Sequence, residues 1–149
     1  MAAHGFETPE QAAMEGFPPA HCRMVESAVD GDDAFVVLDT GPAGRPYLYA
    51  GTVHRDAAGW HGGIDGNGGA VGWTITDAER DLGVVAIWDE APPGADAARI
   101  RRGDEECEIP IRHGVYLATW WREPFPEDGP WPAAVAFRVG GRWVDAAEA

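Results

Sequence analysis

From Cys22 onward the apolar residues of this chain come in short runs, each closed by a glycine, proline or aspartate turn. That punctuation suits strands and leaves no place for a long helix. Residues 24–29 and 34–39 read as strands joined by Asp30-Gly31-Asp32-Asp33. Residues 46–55 and 60–64 form a second hairpin across Asp56-Ala57-Ala58-Gly59. Residues 71–76, 97–102, 106–112, 115–122, 133–139 and 142–144 complete the set, with 82–88 an apolar run of the kind buried on both faces. About ten strands at turn-marked spacing predict an all-β fold, an antiparallel sandwich or barrel.

One short helix precedes them. Thr8 suits the cap, Pro9 the first helical position, and Gln11 closes a T-x-x-Q capping box. Gly16 supplies the left-handed stop, and Phe17 folds back on Ala12 or Ala13.

Two tight turns set further pairings. A turn at His113-Gly114 places Ile111 opposite Tyr116, Ile109 opposite Ala118 and Cys107 opposite Trp120, all facing the core. Pro110 cannot donate to a ladder, so its strand has an open edge. Gly140-Gly141 places Phe137 beside Val144 and Trp143 beside Arg138, within cation–π reach.

At 149 residues the chain is expected to be a single domain, residues 1–149, with a possible subdivision near 92–96. All eleven basic residues are arginine, which removes lysine Schiff-base chemistry and the phosphate-loop lysine. The one serine, Ser27, lies outside any G-x-S-x-G turn, against a serine hydrolase. A net charge of −14 argues against nucleic acid and anionic membranes as partners. It suits solubility or an acidic face that meets a cationic partner. The first twenty residues lack a basic start and an apolar run, so no signal peptide is expected. The location expected is cytoplasmic, with Cys22 and Cys107 reduced and buried.

Four clusters are candidates for chemistry or contact. In the second hairpin Tyr47, Tyr49, Val53, Trp60 and Ile64 share one face, and His54 pairs with His61 on the other. Opposed imidazoles about 5 Å apart at Cβ fit one metal ion, with Asp65 a third ligand only if the glycine loop folds back. The alternative is two solvent-facing histidines. The glycine-rich stretch 62–72 has neither the dinucleotide spacing nor a calcium-loop glutamate, so it reads as a turn in which Asn67 serves the backbone. Trp120, Trp121, Phe125 and Trp131 lie among Pro124, Pro126, Pro130 and Pro132. Trp121 points away from the core, and the loop carrying Phe125 and Trp131 either presents a binding patch or buries its own aromatics. Arg99, Arg101 and Arg102 suit an anion or an ion-pair network with the acids that follow. Spacing singles out no catalytic carboxylate pair.

Thr8-Pro9-Glu10-Gln11-Ala12-Ala13 with Gly16-Phe17-Pro18, then Pro46-Tyr47-Leu48-Tyr49 and Gly66-Asn67-Gly68-Gly69, resembles small uncharacterised bacterial proteins over the first half. The second half resembles immunoglobulin-like sandwiches in strand spacing, although Cys22 and Cys107 do not frame a tryptophan as those domains require. Neither resemblance implies an activity, cofactor or site.

The function expected is therefore a non-enzymatic, acidic β-sandwich that binds another protein through Trp121, Phe125 and Trp131. It needs no cofactor. The alternative is a small enzyme or small-molecule carrier with a pocket near Tyr47, Tyr49 and the 62–72 loop, with His54 and His61 as its distinctive polar groups.

Overall fold

The computed structural model describes residues 5–41, 47–62, 66–67 and 70–149. The chain is mainly β, antiparallel throughout, and divides into two compact units at Gly68/Gly69. The 92–96 loop lies inside the second unit. Among the described residues no sheet closes into a barrel. No helix among them is long and apolar enough to cross a membrane.

The first unit begins with α1 (Pro9–Met14). The Thr8 hydroxyl accepts from the Gln11 N–H at 3.2 Å, and the Gln11 side-chain oxygen accepts from the Thr8 N–H at 3.2 Å. These reciprocal bonds satisfy backbone donors that helix geometry leaves orphaned. Gly16 ends the turn at φ +88°, and Phe17 packs back on the helix cluster.

Five strands follow: β1 (Arg23–Asp30), β2 (Asp33–Asp39), β3 (Leu48–Asp56), β4 (Gly59–His61) and β5 (Gly66–Asn67). The first four pair in sequence order, and β5 pairs with β3. Alternation directs Ala34, Val36 and Leu38 of β2, with Val53 and Trp60, onto Ala12 and Ala13 of α1. Phe35 and Val37, on the opposite side of β2, are equally buried. Phe6 bridges to Trp60 by two backbone bonds of 2.8 Å, which seats the segment before the helix at the end of the sheet.

Asp39 is a buried carboxylate at the end of β2. Its Oδ1 accepts from the N–H groups of Gly41 and Tyr47 at 2.9 and 3.1 Å, and its Oδ2 from Arg23 Nη2 at 3.1 Å. Burial pushes its pKa up, but these bonds outweigh it and hold the carboxyl below its ordinary value. The depressed value means that this stabilisation is fully present above the unfolded pKa of about 3.9. It is lost as pH falls below that towards the folded value. Asp39→Asn is expected to cost about 2 kcal/mol at neutral pH and to flatten the acid limb of a urea-midpoint-against-pH curve. An acid limb identical to the parent's would contradict this role.

The second unit holds β6 (Ala70–Asp77), β7 (Leu82–Glu90), β8 (Ala95–Arg102), β9 (Glu105–Pro110), β10 (Val115–Glu123), β11 (Ala133–Val139) and β12 (Arg142–Asp145). They form a three-stranded sheet, β10-β7-β6, and a four-stranded sheet, β12-β11-β8-β9. Ile87, Tyr116 and Ala118 of the one pack against Ala98, Ile100 and Phe137 of the other, with Ile111 from the connection. This unit is a sandwich. As its apolar sequence implies, residues 83–88 of β7 are all buried.

The turn at Gly140-Gly141 is as expected. Both glycines have positive φ, and Phe137 pairs with Val144 and Arg138 with Trp143. The turn expected at His113-Gly114 is not a hairpin. The strand ending at Pro110 pairs with β8, and β10 pairs with β7 in the other sheet. Two features decide against the local pairing. Gly103, at φ +60°, closes a tighter hairpin between Arg102 and Glu105, and it sets Glu106 opposite Arg101 and Glu108 opposite Arg99. The Ile111 N–H then donates to the Asp96 carbonyl at 3.0 Å, and the Gly114 carbonyl accepts from the Ala91 N–H at 2.8 Å, carrying the chain across to the second sheet. Ile111, Tyr116 and Ala118 still reach the core, but Cys107 does not. It sits on edge strand β9 and is exposed, while Cys22 is half-buried beside the α1 cluster; both thiols are free.

Candidate functional site

The aromatic surface of the second unit is built around Trp73. Gly83 on β7 lies between Ile75 of β6 and Glu123 of β10. Having no side chain there, β7 lets the Trp73 indole lie close over it, and the indole N–H donates to the Glu123 carbonyl at 2.9 Å. The register of β10 shifts between Trp120 and Glu123, where Arg122 takes φ +58°. A bulge of this kind re-aims the end of a strand. Here the chain continues into the 124–132 loop.

Of the two arrangements open to that loop, its aromatic rings take the outward one. Pro126 and Pro132 are buried, whereas Phe125 is 51% and Trp131 38% exposed. Phe125 meets Trp73 edge-on at 5.6 Å between ring centroids and Trp131 edge-on at 5.7 Å. Such pairs contribute about 0.5–1.5 kcal/mol beyond area burial, so the outward rings are held in place. Val71 and Ile75, two residues either side of Trp73, are also exposed and extend the apolar strip along β6.

Arg102 fastens the loop. Its side chain is only 12% exposed, its Nε donates to the Pro130 carbonyl at 3.0 Å, its Nη1 pairs with the Glu123 carboxylate, and its guanidinium lies 5.5 Å from the Trp120 ring. Next to this anchor is an open cleft of about 910 Å³ walled by Trp120 and Trp121 and bordered by Asp104, Glu105 and Asp128. Trp121 is half-buried and its indole N–H donates to Thr119 Oγ1 at 3.0 Å, so it forms cleft wall and not open patch.

Of the remaining candidates, His54, His61, Tyr47 and Tyr49 belong to the first unit and Arg99 and Arg101 to β8 of the second. His54 and His61 are paired across β3 and β4, as their spacing implies. Each turns to its own carboxylate: His54 Nδ1 lies 3.0 Å from Asp33 and His61 Nε2 lies 2.9 Å from Asp56. Among the described residues no group of three or more His, Cys, Asp or Glu is arranged to hold a metal ion, and Asp65 lies outside them. Tyr49 is half-buried against the α1 cluster, 5.3 Å from Phe17, while Tyr47 is 48% exposed beside it. Both belong to the first unit, and part of the 62–72 loop falls outside the described residues. Arg99 and Arg101 pair with Glu108 and Glu106 at 3.5 and 3.6 Å, the ion-pair arrangement and not an anion site. Arg99 and Arg138 also lie against the Trp143 ring, at 4.2 and 5.9 Å.

Trp73 and Arg102 hold this surface together; no local pattern marks Trp73, and Arg102 pairs not with the acids that directly follow it but with Glu123 and the Pro130 carbonyl. The one local signal is Gly83, a glycine within an otherwise apolar strand, which marks close approach by another group. Compared with protein-family models, curated proteins and solved structures, the chain matches none.

Proposed function

We propose that this chain is a non-catalytic docking protein that binds another protein through the ridge formed by Phe125 and Trp131, with Trp121 at its flank. One observation carries the reading. Two large aromatic rings stand half-exposed yet fixed, Phe125 edge-on to Trp73 and Trp131 edge-on to Phe125, on a loop that Arg102 ties down. Rigid aromatic anchors ringed by polar groups are the usual source of binding energy at protein interfaces. The −14 net charge supports a protein partner over nucleic acid, and the reading fits a cytoplasmic setting.

Affinity capture from the source cell's lysate, with the parent and with Phe125→Ala/Trp131→Ala, tests it. Neither ring belongs to the core cluster of this unit, so the double variant gives up the two edge-on ring contacts only and is expected to keep the parent's far-ultraviolet circular dichroism and to unfold a few degrees earlier. It should lose the captured partner by about a hundredfold, the effect of removing two anchors worth roughly 1–2 kcal/mol each. An unchanged set of captured proteins would end the proposal.

A further inference from the structure

The cleft beside the ridge says what kind of partner fits. We infer that it receives a cationic side chain, an arginine or lysine from an extended segment of the partner protein. This deepens the docking reading and rests on it for the identity of the ligand as a protein. The first ground is charge. Four carboxylates, from Asp104, Glu105, Glu123 and Asp128, line the cleft against one guanidinium, that of Arg102. Arg102 is already committed to Glu123, the Pro130 carbonyl and the Trp120 ring. Asp104 and Asp128 have no hydrogen bond or ion pair among the described residues, so their charge is uncompensated.

The second ground is the walls. Trp120 and Trp121 bring two indoles to the cleft, and an indole face attracts guanidinium and ammonium groups while shielding them from water. The chain uses this pairing in its own packing, with Arg102 at 5.5 Å from Trp120, Arg55 at 5.1 Å from Trp60 and Arg99 at 4.2 Å from Trp143. An anion would meet four carboxylates and one guanidinium that is already paired. A neutral apolar group would desolvate carboxylates without pairing them. A cation satisfies walls and rim together.

The third ground is continuity. Pro130 lines the cleft and the next residue is Trp131 of the ridge. A peptide with an aliphatic residue on the ridge can therefore set a nearby basic residue into the cleft. A free polyamine would use the cleft alone.

The test measures tryptophan fluorescence and titration calorimetry on the full chain. The probes are a short peptide alternating leucine and arginine, the same peptide with citrulline for arginine, and spermine. Three variants accompany the parent. Asp104→Asn/Glu105→Gln/Asp128→Asn neutralises the cleft while leaving Glu123 to hold Arg102. Glu7→Gln/Glu15→Gln/Glu79→Gln removes as many exposed charges, none of them lining the cleft. Phe125→Ala/Trp131→Ala removes the ridge. The arginine peptide is expected to bind the parent about tenfold more tightly than its citrulline counterpart, and to lose about tenfold on the cleft variant but little on the charge-matched control. Equal losses on those two variants would reduce the effect to the general field of an acidic protein and overturn the inference. So would equal binding of the citrulline peptide, absence of binding, or spermine binding as tightly with the same dependence on the cleft. Should the arginine peptide need the cleft but not the ridge, the cation site stands and the docking reading falls. Should lysate capture need the ridge but not the cleft carboxylates, the reverse holds.

Discussion

Gly83→Ala is expected to destabilise the chain by about 3 kcal/mol or more and to disturb the aromatic surface in the same step. A methyl group built on Gly83 lies 2.2 Å from the Thr74 carbonyl oxygen, 2.8 Å from the Thr74 carbonyl carbon and 2.8 Å from Cε2 of Trp73. The first two are backbone atoms of the paired strand β6 and cannot swing aside as a flexible side chain would. Relief requires β6 to move away from β7 or the Trp73 ring to lift. Either movement breaks the indole bond to the Glu123 carbonyl, and with it the edge-on support beneath Phe125. A denaturant titration followed by near-ultraviolet circular dichroism separates the two consequences. The expected result is an earlier midpoint together with a weakened tryptophan signal in the still-folded baseline. A midpoint and baseline equal to the parent's would show that the strands do not approach as closely as described.

The second large effect is alkaline. Tyr116 is 6% exposed, packed against Phe137 at 5.6 Å between centroids, and its phenol is pushed up to about 12, first by burial and then by the nearby Asp89 carboxylate. An unfolded tyrosine ionises near pH 10. Between these two values the folded chain holds a proton that the unfolded chain has released, so stability is complete below about pH 10 and falls as pH rises through the folded value. The slope of about 1.4 kcal/mol per pH unit amounts to roughly 2–3 kcal/mol over that interval. Urea midpoints across the range should decline steeply for the parent and much less for Tyr116→Phe, which keeps the ring and removes the ionisable group. Parallel declines would mean that another group governs alkaline unfolding.

What the sequence makes legible is local. The capping box of Thr8 and Gln11, the left-handed stop at Gly16, the Gly140-Gly141 turn and the His54–His61 register each depend on residues a few positions apart, and all appear in the fold. The pairing of β9 is not legible locally, because two glycines compete to close a hairpin on it. Gly114 follows the strand and Gly103 precedes it, and what favours Gly103 is the complementary ladder of Arg99 and Arg101 with Glu108 and Glu106. Cys107 follows from the same choice. It faces the side of Ile100, yet edge strand β9 leaves it open to water.

The candidate site was legible in its anchors and not in its supports. Phe125, Trp131 and the surrounding prolines form a visible local cluster. Which of them turn outward depends on contacts far away in sequence: Trp73 reaches Glu123 across 50 residues and Arg102 reaches Pro130 across 28. No periodicity encodes such contacts, and the bulge at Arg122 breaks the alternation that would otherwise place Glu123. Tyr47 and Tyr49 illustrate the converse. Their alternation puts them side by side, Tyr47 just before β3 and Tyr49 on it with 5.5 Å between ring centroids, but only the burial pattern separates Tyr49, held against α1, from exposed Tyr47.

Site-directed photo-crosslinking addresses the docking ridge most directly. A benzophenone amino acid placed at position 125, at position 131 or, as a control, at Val29, which is 55% exposed, reports on what each surface touches in the source cell. One discrete adduct shared by positions 125 and 131 and absent from position 29 is the expected result. No adduct at the two aromatic positions, or the same adduct at all three, would contradict a partner seated on Phe125 and Trp131.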